Sequence, residues 1–244
     1  MRLSVTFETD ELILPVQYER ALQGLIYHSL SNPELVAFLH ERGFTYNKRT
    51  FKLFTFSKLQ GKCSYNPKRK TLTFNGDVKW IVSSALPEFI QDLGQALLLE
   101  ERLELYNQSV KVKEMTYHHS EITESVCRVN MLSPITVAST FDAEGGRKVT
   151  QYYSPHDIVF SPMIEKNLKR KYAAFTNEEN DDLFEISPVT VSYRHKVITK
   201  FKGTIINAWG GTYELRSSPK LLTFAYQVGL GSRNSAGFGL FELV

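Results

Sequence analysis

Between Gly229 and Gly239 the chain reads Gly-Leu-Gly-Ser-Arg-Asn-Ser-Ala-Gly-Phe-Gly, with four glycines, one arginine and no acid. Glycine permits positive φ and close backbone approach, and consecutive amides in such a loop form a nest for an anion. The loop follows a predicted helix at the end of the chain. A dinucleotide-binding loop lies instead between a strand and a helix of a βαβ unit, and a Walker loop needs Gly-Lys-Ser/Thr, so neither applies. Gly237-Phe238-Gly239 echoes an RNP1 strand only faintly, since the leading basic position is Ala236. Taken alone, a glycine loop is more often a turn than a binding site.

A second chemical signal is a basic region. From Arg42 to Lys79, Arg42, Lys48, Arg49, Lys52, Lys58, Lys62, Lys68, Arg69, Lys70 and Lys79 face the single acid Asp77. Phe44, Tyr46, Phe51, Phe54, Phe56, Tyr65, Phe74 and Trp80 are interleaved with them. Cations and stacking rings in one region are what a single-stranded nucleic-acid surface requires, and also what half-buried strands with a solvated face look like. The net charge of +3 adds little. Six histidines offer proton transfer near neutral pH. His40 falls in the last turn of a predicted helix, where the helix dipole alone favours it. His28 points away from its neighbour Tyr27, His118 and His119 alternate across a strand, His156 reads as a helix-start residue, and His195 falls in a turn. No Cys/His or Asp/Glu cluster has metal-ligand spacing, which predicts chemistry without metal or other cofactor.

These residues must be held by alternating strands and helices. Leu3, Val5 and Phe7 recur with period two and predict a strand over Leu3 to Glu8. Pro15 reads as a first-turn proline of a helix whose buried stripe is Tyr18, Leu22, Leu25, Ile26 and Ser29. Tyr27 lies about 150° from that stripe, beside Arg20 and Gln23, off the core face. Asn32 N-caps a second helix that Gly43 stops. Strands are predicted over Phe51 to Ser57, Gly61 to Tyr65, Thr71 to Asn75 and Lys79 to Ser83, then a helix over Leu86 to Leu99, then strands over Arg102 to Tyr106 and Val110 to Tyr117. Lys52, at the head of its strand, should hold its ammonium near the sheet edge.

The second half restarts near Glu121 to Leu132, with a hairpin at Glu144-Gly145-Gly146. A helix falls within His156 to Phe175, started by Ser154-Pro155 or Ser161-Pro162, and Lys166, Lys169 and Arg170 form a solvated edge on it. Strands over Phe184 to Tyr193 and Val197 to Leu215 precede a last helix with Ser218 as N-cap, Pro219 at N1 and Gly229 as stop. Each half thus has the β-α-β-β-α-β ingredients of a ferredoxin-like unit. The expected fold is α+β, tandem ferredoxin-like (RRM-like) domains over residues 1–120 and 121–244, ending in the glycine-rich loop.

At 244 residues, with 42% hydrophobic, 12% aromatic and 23% charged residues, the composition excludes a mainly disordered chain. No apolar run reaches the ~18 residues that a membrane-spanning helix needs. Glu8, Asp10 and Glu11 stand where a signal peptide would be apolar, and Cys63 and Cys127 have no zinc or redox spacing, so a cytoplasmic location is expected.

The terminal pattern Gly-hydrophobic-Gly, five residues, Gly-hydrophobic-Gly resembles the signature loop of the CRISPR-associated repeat-RNA endoribonucleases, the Cas6 family. Leu22-Gln23-Gly24-Leu25-Ile26-Tyr27, Phe38-Leu39-His40-Glu41 and Phe51-Lys52-Leu53-Phe54-Thr55 resemble that family's first-helix, second-helix and following-strand motifs in order and spacing. The resemblance covers essentially the whole chain. It implies a metal-independent endoribonuclease that cuts CRISPR precursor RNA within each repeat, with Tyr27, His40 and Lys52 as catalytic residues. RNA supplies its own nucleophile. A histidine suits the proton transfer when a 2′-hydroxyl attacks the adjacent phosphate, a lysine the phosphate oxygens, and a tyrosine the orientation of sugar or phosphate. The products would be a 2′,3′-cyclic phosphate and a 5′-hydroxyl. Gly229, Gly231, Ser232, Arg233, Asn234, Gly237 and Gly239, with Lys48 and Arg49, would contact RNA. The expected partner is repeat RNA, with other subunits of a CRISPR effector complex and a second copy of the chain as further partners. The alternative is a non-catalytic RNA-binding subunit of such a complex; a small-molecule enzyme on the same fold is more distant.

Overall fold

The computed structural model describes residues 1–142, 144–201 and 203–244. Its first half contains β1 (Arg2–Glu8), β2 (Glu11–Pro15), α1 (Glu19–Ser29), α2 (Pro33–Ala37), the hairpin β3 (Phe44–Tyr46) and β4 (Arg49–Phe51), then β5 (Phe54–Phe56), β6 (Gln60–Asn66), β7 (Thr71–Ser84), α3 (Pro87–Leu99), β8 (Leu103–Leu105) and β9 (Gln108–His118). Antiparallel β9, β1 and β7 stand in that order, and β5 and β6 also pair with β7. This is the fourth-first-third-second order of a ferredoxin-like unit. The alternating Leu3, Val5 and Phe7 of β1 are fully buried, with Leu22, Ile26, Phe89, Ile90 and Leu93 of α1 and α3 in the same core.

The second half repeats the scheme with β10 (Val126–Met131), β11 (Ala138–Asp142), β12 (Lys148–Tyr152), α4 (Phe160–Thr176), β13 (Glu185–Thr190), β14 (Lys196–Phe201), β15 (Thr204–Trp209), β16 (Thr212–Arg216), α5 (Pro219–Val228) and β17 (Phe241–Leu243). Its sheet order, β13-β16-β10-β17, is again fourth-first-third-second reversed, and the hairpins β11-β12 and β14-β15 are insertions. The fold is therefore the expected tandem ferredoxin-like one. No helix among the described residues is long and apolar enough to cross a membrane.

Several local readings are corrected. Pro15 ends β2 and does not start α1, which begins at Glu19. The strands expected either side of Gly76 are one strand, β7, which takes Gly76 at φ +79 without interruption. The single strand expected over Val197 to Leu215 is three strands turned near Gly203 and at Gly210-Gly211; Lys202 lies outside the described residues. A Cβ on Gly211, at φ +97, would meet the Thr190 carbonyl oxygen at 2.6 Å, so this turn requires glycine. Neither Ser-Pro pair caps α4, whose N-cap is Val159: Ser154-Pro155 lies in the preceding turn, and Pro162 sits in the first turn, where its missing N–H costs nothing.

The expected strand over Phe51 to Ser57 is broken at Lys52-Leu53, because Leu53 adopts φ +54. That reversal sends the Leu53 side chain into the second hydrophobic core, while Phe54 and Phe56 enter the first. The halves are further joined by the buried Arg2, whose guanidinium lies 3.1 Å over the Tyr226 ring and donates to the Tyr226 carbonyl at 2.7 Å.

The glycine loop sits in this seam. Ser218 caps α5 by accepting from Leu221 N–H, and Gly229 ends the helix at φ +77. The loop has few side chains with which to anchor itself, so its carbonyls are bonded from outside. Lys171 of α4, 3% exposed, donates to the carbonyls of Gly229 and Gly231, both at 2.9 Å. Asn234 Nδ2 donates to Leu230 and Phe238 carbonyls, both at 3.0 Å, and Thr55 of β5 donates to Phe238. A Cβ on Gly237 would strike the Phe56 ring at 2.6 Å.

Burial pulls the Lys171 ammonium down to about 7. A neutral amine keeps two N–H donors, the number this site uses. Because the unfolded chain holds this proton up to about 10.5, the cost of burying the charge is fully present below pH ~7 and is relieved as pH rises towards 10.5. The expected outcome is a melting temperature that rises from pH 6.5 to 9.5 by more in the parent than in Lys171→Met. Parallel profiles by calorimetry would remove Lys171 as the source.

Candidate functional site

α2 does not simply stop. Asn32 accepts from Glu34 and Leu35 N–H at its start, and after Ala37 the chain widens into a π-turn over Phe38–Arg42, closed by Gly43 N–H donating to the Phe38 carbonyl at 2.6 Å. Such turns re-aim side chains and are frequent at functional sites. Leu39 is anchored in the core while the next residue, His40, is exposed. Gly43, at φ +67, packs so close to β4 that a Cβ would meet the Phe51 carbonyl oxygen at 2.6 Å. That contact sets the distance between the π-turn and the residue after Phe51, which is Lys52.

The predicted catalytic residues converge here. The Tyr27 and His40 rings are edge-to-face with centroids 5.8 Å apart, and Lys52 Nζ donates to the His40 carbonyl at 3.1 Å. Tyr27 is half-buried, its ring also edge-on to Phe54 at 6.0 Å. Tyr27, predicted to lie off the core, therefore packs against the edge of the first core, while Arg20 on the same face is exposed. One turn before Tyr27, Gln23 donates to the Ser235 carbonyl of the glycine loop at 2.5 Å. Burial pushes the Tyr27 hydroxyl up to about 12, so it remains an O–H donor through the neutral range. Desolvation lowers the Lys52 ammonium from its usual value. The rival His28 is turned onto its own helix, Nδ1 lying 2.7 Å from the Gly24 carbonyl oxygen.

Lys52 lines a cleft of about 270 Å3, between Arg49–Phe54 on one wall and Ser232, Arg233 and Ser235 on the other. Around Arg49, Asn167 and Ser232 it continues into a larger groove of about 450 Å3 whose basic lining is Arg49, Lys166 and Arg170. Of the loop residues predicted to contact RNA, Ser232 and Arg233 reach solvent. Gly229, Gly231, Asn234, Gly237 and Gly239 are buried. The amides of Leu230, Ser232, Gly237 and Gly239 bond to carbonyls of Gly239, Thr136, Asn234 and Pro134, so the loop is not an open anion nest. Its glycines give it shape, and its polar tip, Ser232 and Arg233, is the part that faces solvent.

Lys48 and Arg49 are exposed at the β3-β4 turn. The rest of the basic region disperses: Lys68, Arg69 and Lys70 form the β6-β7 turn, and Lys58 is ion-paired with buried Glu19. Sequence reading missed Lys166 and Arg170 as groove residues, taking them for a solvated edge; their i, i+4 spacing on α4 opposite a basic hairpin was the available signal. It also missed Lys171, whose position on the apolar stripe Ile164, Leu168, Tyr172 marks it as a buried lysine.

Sequence models of two families cover the chain. The model for "CRISPR-associated protein Cas6, N-terminal" matches residues 13–116, and that for "CRISPR associated protein Cas6, C-terminal" matches residues 112–243. The CRISPR-associated endoribonuclease Cas6 1 of Methanocaldococcus jannaschii is 28% identical over 98% of this chain and 91% of its own length. The CRISPR-associated endoribonuclease Cas6 of Pyrococcus furiosus is 27% identical over 94% and 83%. A solved structure titled CRISPR associated protein Cas6 superposes with a TM-score of 0.81 at 26% identity, covering 100% of this chain and 99% of that one. With both halves matched by their own models in the same order and the fold shared end to end, this chain belongs to the CRISPR-associated Cas6 family.

Proposed function

We propose that this chain is an endoribonuclease that cuts CRISPR precursor RNA within its repeats, and that Tyr27, His40 and Lys52 carry the reaction. The observation that supports it is the convergence of Tyr27 and Lys52 on His40, with Lys52 also lining a cleft that Arg49 and Arg233 share. In this reading the 2′-oxygen bonds to phosphorus and the P–O5′ bond breaks. A proton leaves the 2′-hydroxyl and the departing 5′-oxygen gains one. His40, exposed on a π-turn, handles that proton transfer. Lys52 lies against the phosphate as negative charge develops in the transition state, and its tie to the His40 carbonyl keeps the two groups in register. Tyr27, protonated and wedged between His40 and Phe54, orients the phosphate or sugar through its O–H.

Residues 1–120 act as the catalytic unit and 121–244 as the unit that brings the loop. RNA follows the groove past Arg49, Lys166 and Arg170, with Ser232 and Arg233 on its backbone and Lys48 at the entrance. The reading takes repeat RNA as the partner of this site, with effector-complex subunits and a second copy of the chain as partners elsewhere. It places the chain in the cytoplasm, where the free Cys63 and Cys127 stay reduced.

Incubated in excess chelator, the protein should cut its repeat RNA and leave intact the same RNA carrying a 2′-deoxy group just upstream of the cut. Tight binding with neither RNA cut would point instead to a non-catalytic RNA-binding subunit. His40→Ala should slow single-turnover cleavage by about 10²-fold to 10⁴-fold while leaving affinity nearly intact, the range of general acid–base catalysis. Unchanged cleavage would remove His40 from the reaction. Arg170→Ala should weaken affinity and lower the slope of log affinity against log salt by about 0.7, the loss of one phosphate contact to single-stranded RNA. An unchanged slope would place the RNA elsewhere.

A further inference from the structure

A second cleft, of about 500 Å3, lies across the β11-β12 hairpin from the basic groove. Ala138, Ser139 and Thr140 of β11 line the groove, whereas Tyr152 and Tyr153 at the end of β12 line this cleft. Ala138 and Tyr152 are ladder partners, so a single hairpin separates the two depressions.

Its walls are aromatic. Besides Tyr152 and Tyr153 they include Tyr193 and Trp209, and Lys196 and Asn207 belong to the same lining. Trp209 is the fixed part: it is 5% exposed, and its backbone exchanges two 2.8 Å hydrogen bonds with Ile135. Tyr193 is the presented part. It is 85% exposed and stands edge-on to Trp209 with centroids 6.0 Å apart. The short turn Tyr193–His195 that carries it is locked at both ends, because Ser192 N–H donates to His195 Nδ1 at 3.0 Å and His195 N–H donates to the Ser192 carbonyl at 2.9 Å. A large ring left in water on a rigid support adds little to stability, and it lowers the entropic cost of binding a flat ligand. Lys196 Nζ lies 5.7 Å from the Trp209 ring centroid, which places a cation next to the stacking surface. The one acid of the lining, Asp157, already accepts from Ser154 N–H at 2.7 Å. An exposed ring, an adjacent ammonium and the Asn207 amide are the components of a site for a base and its phosphate.

Resting on the RNA-cleaving reading, we infer that this cleft holds an unpaired nucleobase of the repeat RNA, stacked on Tyr193 with its phosphate towards Lys196, beyond the hairpin from the bond that is cut. The RNA would pass along the basic groove and over the β11-β12 hairpin, and the stacked base would fix how much of the repeat lies between this site and the cleavage site.

The test uses the full chain and repeat RNA carrying the 2′-deoxy block, so that binding is read without turnover. Tyr193→Ala should weaken affinity about 5-fold to 150-fold, the loss of one base-aromatic stack, whereas Tyr193→Phe should stay within about twofold. Because Tyr193 is solvent-exposed, neither change should move the melting temperature. The chain has two tryptophans and Trp80 is fully buried in the first core, so quenching of tryptophan emission by the RNA reports on Trp209. Affinity unchanged in Tyr193→Ala, or emission unmoved by saturating RNA, overturns the stacking site. If the parent cuts unblocked RNA while Tyr193→Ala binds like the parent, this inference alone fails. If the parent neither binds nor cuts repeat RNA, the functional reading fails with it.

Discussion

The seam between the two halves depends on an amine. A loop of alternating glycines can turn sharply because it lacks side chains, and for the same reason it cannot hold itself in place. Lys171 offsets this by donating from the body of α4 to the carbonyls of Gly229 and Gly231. The loop tip that reaches the cleft, Ser232, Arg233 and Ser235, follows directly from those bonds. A hydroxyl or amide on a shorter side chain would not span from the helix to both carbonyls, and arginine would bring a planar fork and a permanent charge. The lowered affinity of the buried lysine for its proton is the consequence of that choice.

The same loop connects elements that otherwise belong to different cores. Thr55 of the first sheet donates to Phe238, Gln23 of α1 donates to Ser235, and Gly237 is flush against Phe56. From the other direction, Leu53 leaves the first sheet and enters the second core. Each half therefore contributes a residue to the stability of the other, and Lys52 lies at the crossing point. Movement of one half relative to the other would have to break several buried contacts together, which favours a single arrangement of the cleft.

Much of this was legible in the sequence. Period-two and helical patterns located both βαββαβ units, and the caps at Asn32 and Ser218 came out as read. Ordered motifs brought Tyr27, His40 and Lys52 forward together, and the structure sets the Tyr27 ring and the Lys52 ammonium each against His40. What could not be read were features set by tertiary contacts. The positive φ of Leu53 has no local signal, since leucine ordinarily avoids that region, and only a second core waiting for its side chain explains it. The π-turn at His40 depends on Gly43 meeting β4, a contact between segments. Composition left the glycine loop open between a turn and an anion nest, because it reveals which backbone conformations are accessible but not where the amides point.

The basic residues show the same limit more sharply. Ten of them between Arg42 and Lys79 resemble one surface in sequence, yet the β6-β7 turn carries Lys68, Arg69 and Lys70 away from the cleft, and Glu19 neutralises Lys58. The positive groove is instead assembled from Arg49 of the first half and Lys166 and Arg170 of the second. A groove built from both halves exists only when the seam is closed. The contacts that hold the glycine loop are therefore also the contacts that create the surface an RNA phosphate chain would follow, and stability and recognition at this site cannot be separated by any change that loosens the seam.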